Sequence, residues 1–196
     1  MEGLEAERRA PPCILVVFGA SGDLTSRKLM PALAELAMNR QLPSAFAVVG
    51  VARTEMSDDD FRQRVLEAVE DANPAWESLV EGFRYVAGDY GEPDTFERLK
   101  EVCDEVDADR GIGGNRVYYL ATVPTVFADV ALKLGEHGMA RPPDDGAAFV
   151  RIVIEKPFGH DLESARELDA SLHSVFDEEQ IYRIDHYLGK ETVQNV

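Results

Sequence analysis

Six short apolar runs punctuate the chain, with segments of helical period between them, and this alternation leaves few folds open. The runs lie at Cys13 to Phe18, Phe46 to Val51, Phe83 to Ala87, Arg116 to Thr122, Ala148 to Ile154 and Gln180 to Ile184. Continuous hydrophobicity over a few residues marks strands buried on both faces, as in parallel sheets. Helices are expected over Arg27 to Asn39, Asp58 to Asp71, Pro93 to Val106 and Pro124 to Gly135, with Pro124 at a first helical position. A further helix follows Asp161, which caps a run of Leu162, Ala165, Leu168, Leu172 and Phe176 at three- and four-residue steps. Regular alternation of strand and helix predicts a doubly wound α/β fold with a mostly parallel sheet and right-handed crossovers. The polar stretches Asp107 to Asn115 and Ala140 to Ala147 fall inside that alternation and read as surface loops.

With 196 residues, 45% of them hydrophobic, the chain can bury one good-sized core and carry the start of a second domain. A formal net charge of -17 opposes approach to nucleic acid or to an anionic membrane, so neither is an expected partner. Basic groups gathered in motifs therefore stand out; Lys28, Lys156 and Lys190 are three of the five lysines. Two cysteines are too few for a disulfide framework, and Cys13 lies in a core strand, which fits a reducing cytoplasm. The start, MEGLEAERRAPP, lacks the apolar segment of a leader and reads as disordered through residue 12. No metal site is expected.

The first strand runs into Gly19, Ala20, Ser21, Gly22, Asp23 and Leu24 at the entry to a helix. Glycines at such a turn let backbone N–H groups and the helix N-terminus approach a pyrophosphate. Tight strand-to-helix turns also need glycine for purely structural reasons, and the spacing departs from G-x-G-x-x-G. The second strand offers Arg53 where an NAD-binding site would carry a carboxylate; the planar guanidinium suits a 2′-phosphate, or else Arg53 is one surface arginine among many. NADP is the expected cofactor, with NAD possible.

At the other end of the sheet, Glu155-Lys156-Pro157 closes the fifth strand, and proline holds Lys156 in extended geometry at the carboxyl edge. That lysine is placed to bond a sugar hydroxyl or the cofactor, or else the motif merely stops the strand. Asp185 ends the sixth strand and is followed by His186, Tyr187 and Lys190. A carboxylate can orient an imidazole acting as base, and a histidine, phenol and lysine together can hold a phosphate dianion; the structural alternative makes Asp185-His186 a helix cap and Tyr187 a core residue. His137, His160 and His173 read as structural or surface residues.

GASGDLTSRKL, VVGVART, GDY, VYYLATVPTVF, EKPFG and RIDHYLGKETVQN occur in that order. On these motifs the chain, from Ile14 to Val196, resembles the N-terminal coenzyme-binding part of glucose-6-phosphate dehydrogenase. The resemblance implies a Rossmann-like domain over residues 13–185, with residues 186–196 the start of a truncated substrate domain. It implies NADP held by Gly19 to Leu24 and Arg53, with Asp89 and Tyr90 on the adenine side. Lys156 would reach both substrate and nicotinamide, Lys28 would lie near the same place, and His186, Tyr187 and Lys190 would bind the sugar phosphate.

The implied reaction oxidises glucose 6-phosphate at C1 to the 6-phosphogluconolactone. In that family Asp185 would orient a histidine base that lies well beyond residue 196. The expectation is therefore a chain inactive or nearly so alone, lacking the β-rich domain through which full-length members form homo-oligomers. Two other readings are a non-catalytic NADP-binding or partner-binding module, and a different sugar dehydrogenase sharing the Glu-Lys-Pro motif. Val123 and Phe127 depart from the family's usual proline and tyrosine beside the nicotinamide.

Overall fold

A computed structural model describes residues 10–142 and 148–185. Its strands are β1 (Cys13–Phe18), β2 (Phe46–Ala52), β3 (Arg84–Ala87), β4 (Arg116–Leu120), β5 (Val150–Glu155) and β6 (Ile181–Ile184). Among the described residues they form one six-stranded sheet in the order β3-β2-β1-β4-β5-β6. Every neighbouring pair is parallel. The helices are α1 (Met30–Met38), α2 (Asp58–Glu67), α3 (Pro74–Val80), α4 (Pro93–Arg110), α5 (Phe127–Glu136) and α6 (Leu162–His173).

The period-2 geometry of β1 sorts the core into two layers. Ile14, Val16 and Phe18 point to the face covered by α4, α5 and α6, through residues such as Phe96, Phe127 and Leu172. Cys13, Leu15 and Val17 point to the other face, covered by α1, α2 and α3 through Met30, Phe61 and Trp76. Each fully buried side chain of this size contributes about 1.5–3 kcal/mol, so a strand apolar on both faces is anchored from two sides. Phe18 is the hub of one layer, with its ring centroid 5.7 Å from Tyr90, 6.1 Å from Phe96 and 6.4 Å from Tyr118.

The expected strands are all present, and β1 has the expected bounds. The helix expected from Arg27 enters through a wide π-helical turn over Thr25–Leu29, closed by Met30 N–H donating to Thr25 O. Pro31 explains the turn: it has no N–H for the carbonyl of Arg27, and widening the preceding turn accommodates its ring. Helix α2 stops at Glu67, short of the expected Asp71. Helix α4 continues past the expected Val106 to Arg110, where Gly111 at φ 63° ends it and the Asp107 carboxylate accepts from Gly113 N at 2.8 Å and Gly114 N at 2.7 Å. The loop expected from Asp107 therefore begins only after Arg110. Pro124 starts a short 3-10 turn ahead of α5.

Helix α3 was not anticipated, although Asn73 caps it by accepting from Ala75 N and Trp76 N, and Pro74 occupies its first turn. Pro12, expected in an unstructured start, accepts from Asn115 Nδ2 at 2.8 Å, because that asparagine ties the entry of β1 to the entry of β4. Residues 1–9 lie outside the described residues, as do residues 143–147 of the expected loop at Ala140 to Ala147.

Candidate functional site

The strand order reverses at β1: the chain first winds outward through β2 and β3, then crosses back to β4 on the other flank. Ligands of open α/β sheets bind outside the carboxyl ends of the strands at such a switch point. A cleft of about 550 Å³ opens there, lined by Gly19, Ser21 and Gly22 after β1, Arg53 and Thr54 after β2, and Ala121, Thr122 and Val123 after β4. A larger hollow of about 690 Å³, lined by Arg40, Ser44, Gly82 and Arg110, sits at the opposite, amino edge of the sheet. The chemistry of the switch point, not size, selects the smaller cleft.

Gly19 is required by geometry. Its φ is 88°, and a Cβ there would lie 2.3 Å from Ala121 O. This close approach lets the turn fold flat across the ends of β1 and β4. Gly19 N donates to Val51 O at 2.9 Å and to the Tyr90 hydroxyl at 2.9 Å, and Ala20 N donates to Val51 O at 3.2 Å. Thr25 Oγ1 donates to Gly19 O at 3.0 Å, and Gly22 N closes the turn on the same carbonyl at 2.9 Å. The helix beginning at Asp23, directly after the cleft-lining Gly22, has first-turn N–H groups without intrahelical partners.

Tyr90 acts from beneath this turn: its hydroxyl accepts from Gly19 N and donates to Val51 O at 3.2 Å. Burial raises its pKa, against the lowering effects of the Gly19 bond and Arg53, so it stays a donor at neutral pH. Asp89 is exposed and accepts from Gly91 N at 2.9 Å, and both Asp89 and Tyr90 line the cleft. Asp23 is 3.9 Å from Arg27, both highly exposed, and Lys28 is exposed on the same turn. Arg53 is exposed at the cleft mouth. Beside it Thr54 Oγ1 donates to Ser21 Oγ at 3.1 Å, and Arg64 Nη2 of α2 donates to Ser21 O at 2.8 Å.

The second group of candidates gathers where β5 and β6 end. Leu120 pairs with Ile154, so the segments leaving β4 and β5 start side by side. Glu155 pairs with Ile184, which sets Lys156 beside Asp185. Lys156 N donates to Ile184 O at 3.1 Å, and Lys156 Nζ meets Asp185 Oδ2 at 3.3 Å, with the lysine side chain 62% and the aspartate 31% exposed. The Lys156-Pro157 peptide is cis. Glu155 is buried and accepts from the Tyr119 hydroxyl. Burial first, and that bond second, push the Tyr119 phenol far above its ordinary range. His186, Tyr187 and Lys190 lie outside the described residues.

Arg64 lies in none of the sequence motifs, and the motifs that contain Thr54 and Tyr119 assign neither residue a role. Tyr119 had a signal: of two adjacent tyrosines near the end of a buried strand, one must face each layer. The remaining histidines behave structurally. His137 Nδ1 lies 2.9 Å from Lys133 O and its ring stacks on Phe96, His160 is exposed in a turn, and His173 joins a surface ion cluster.

A parallel, doubly wound sheet with a glycine turn at its switch point defines the Rossmann-like class of α/β domains. Residues 16–195 match the family described as glucose-6-phosphate dehydrogenase, NAD binding domain, and the chain belongs to that family. It is 48% identical over 195 residues to glucose-6-phosphate 1-dehydrogenase 2 of Mycobacterium tuberculosis (strain ATCC 25618 / H37Rv), covering 96% of this chain and 38% of that protein. Identity to the Chlamydia pneumoniae glucose-6-phosphate 1-dehydrogenase is 41% over 201 residues, covering 99% of this chain and 39% of that protein. A solved glucose-6-phosphate dehydrogenase in complex with its substrate glucose-6-phosphate superposes with a TM-score of 0.82 at 35% identity, over 95% of this chain and 39% of the other. The Mycobacterium avium glucose-6-phosphate 1-dehydrogenase gives a TM-score of 0.76 at 34% identity, over 94% of this chain and 38% of that one. The chain thus spans well under half the length of these relatives.

Proposed function

We propose that the chain is the coenzyme-binding part of an NADP-preferring dehydrogenase that oxidises glucose 6-phosphate at C1 to 6-phosphogluconolactone. The observation that carries the reading is the turn at the switch point: a glycine at φ 88° against Ala121 O, with Arg53 at the cleft mouth. The residues fit a dinucleotide. A Cβ at Gly19 would collide with Ala121 O, so glycine is what lets the turn keep this shape beside the cleft, and the helix start at Asp23 supplies backbone donors and a positive dipole end. Arg53 has no carboxylate within ion-pair distance among the described residues, and a guanidinium there suits a 2′-phosphate. When bound, the nicotinamide accepts the hydride lost from C1.

In this reading Gly19, Ala20, Ser21, Gly22, Asp23 and Leu24 hold the pyrophosphate, and Asp89 and Tyr90 border the adenine side. The Tyr90 hydroxyl, spent on Gly19 N and Val51 O, keeps the turn in shape. Lys156 bonds the sugar and the nicotinamide, and its ion pair with Asp185 holds both groups at the same edge. Asp185 orients a histidine base located beyond residue 196. His186, Tyr187 and Lys190 grip the phosphate, with Lys28 near them. On this basis the chain alone has little or no turnover.

A cytoplasmic setting and homo-oligomerisation of the longer protein belong to the same proposal. Cys13 and Cys103 are buried, and burial pushes their thiols up to about 11 and about 12, which leaves them unreactive. Among the described residues no helix is long and apolar enough to cross a membrane. One observation favours a second reading, a non-catalytic NADP-binding module: the whole cleft lies within residues 19–129, independent of the sugar end. Titrating the chain with NADP and assaying it with glucose 6-phosphate separates the two. NADP binding with faint turnover, raised by adding the part of a relative that lies beyond the matched region, supports the dehydrogenase part; binding that no such portion activates supports the module. Absence of NADP binding would overturn both.

A further inference from the structure

We propose that Arg64 is a second specificity residue for the cofactor's 2′-phosphate, acting beside Arg53; the proposal rests on the NADP reading above. Arg64 is an exposed residue of α2, and an exposed arginine ordinarily samples many rotamers. Here its Nη2 donates to Ser21 O at 2.8 Å, which holds the guanidinium against the glycine turn. Ser21 is the meeting point of three segments, since Thr54 Oγ1 also donates to Ser21 Oγ at 3.1 Å, and Tyr85 fixes Thr54 by donating to its carbonyl at 2.7 Å. Arg53 directly precedes Thr54 and lines the same cleft as Ser21. The Arg64 guanidinium is therefore fixed on Ser21, and Arg53 lines the same cleft as that residue.

The charges around them leave both arginines available to an anion. The acids that open α2 are engaged elsewhere: Asp58 with Arg62 and Arg84, Asp59 with Arg62, and Asp60 with Ser57 in the helix cap. Asp89 accepts from Gly91 N. Among the described residues neither Arg53 nor Arg64 has a carboxylate within ion-pair distance. A backbone carbonyl takes one of the five N–H donors of Arg64 and none of its charge. In a chain with net charge -17, a pair of such arginines is a local exception to the surrounding field. A phosphate dianion is the ligand that two planar forks recognise, and it distinguishes NADP from NAD.

Calorimetric titration of the 196-residue chain with adenosine 2′,5′-bisphosphate and with adenosine 5′-monophosphate isolates the 2′-phosphate. Arg64→Ala is expected to weaken the bisphosphate by about tenfold, the scale of one charge-assisted hydrogen bond, and to leave the monophosphate nearly unchanged. Arg64→Lys, which keeps the charge, recovers part of the loss. Arg64→Met keeps the apolar stem and guards against a folding defect, and its melting curve should match the wild type. Equal weakening of both probes would make Arg64 a brace for the turn and overturn the proposal, as would no weakening at all. Discrimination lost in Arg53→Ala but intact in Arg64→Ala overturns this inference alone, leaving NADP preference standing. A wild-type chain that fails to distinguish the two probes overturns both.

Discussion

Replacing Gly19 by alanine perturbs the turn on which the functional reading depends, and the structure gives the size of the effect. An L residue in the left-handed region costs about 1–2 kcal/mol. The new Cβ would also lie 2.3 Å from Ala121 O and 2.8 Å from Ala121 C. Both are backbone atoms of the segment leaving β4, so relief requires the main chain to move, an overpacking effect of about 1–3 kcal/mol. Together these give about 2–5 kcal/mol. For a domain of this size each kcal/mol lowers Tm by about 2–4 °C, so the melting point should fall by about 4–20 °C. Gly113→Ala is the control, because Gly113 has φ 79° and a Cβ added there would meet nothing within 4 Å. Its loss should be confined to the conformational part, about 1–2 kcal/mol. Scanning calorimetry on both variants, followed by NADP titration of Gly19→Ala, measures the difference. If Gly19→Ala melts no lower than Gly113→Ala and binds NADP as tightly as wild type, the close approach at Ala121 does not shape the site.

Arg53→Ala should lower affinity for NADP by about tenfold or more while sparing NAD, measured by titration with each cofactor. Tyr119→Phe removes a donor from buried Glu155 and should cost about 1–3 kcal/mol in urea unfolding; an unchanged midpoint would make that contact dispensable. His173 is raised by its bond to the Asp169 carbonyl and by Glu178, whereas Glu178 is lowered by Arg183 and His173. The histidine's contribution is full below its unfolded value of 6.5 and fades as pH rises through the higher folded value; the glutamate's is present above 4.5 and fades as pH falls through its lower folded value. His173→Gln should therefore flatten the stability profile on the alkaline side of that window, read as Tm against pH.

Where burial alone decides, the sequence was legible. The β1 run CILVVF is apolar at every position, and the strand occupies those residues and is buried throughout. Asp161 was legible as a cap because a short carboxylate before an amphipathic run has one cheap use, and it accepts from Ser164 N at 2.8 Å. Helix α3 was missed because its seven residues are too few to show a helical period, leaving the Asn73-Pro74 start as the signal. The end of α4 was misplaced because Asp107 to Arg110 are mostly polar; Gly111, not hydrophobicity, stops the helix. In the candidate site, the motif residues Gly19, Ser21, Gly22, Arg53, Asp89 and Tyr90 line one cleft, whereas contacts made by crossing of elements have no sequence signal. Arg64 reaches Ser21 across 43 positions, and Tyr119 reaches Glu155 across 36. Neither spacing carries a local pattern. Asp185 stands out in the sequence as a strand-end carboxylate, but its ion pair with Lys156 has no sequence signal, and His186, Tyr187 and Lys190 fall outside the described residues.

The most direct test is a crystal structure of the chain grown with NADP. The pyrophosphate is expected over Gly19 to Leu24, with the 2′-phosphate on Arg53 at the mouth of the switch-point cleft. NADP seated instead in the amino-edge hollow beside Arg40 and Arg110, or a cleft that stays closed to it at saturating concentration, would contradict the assignment.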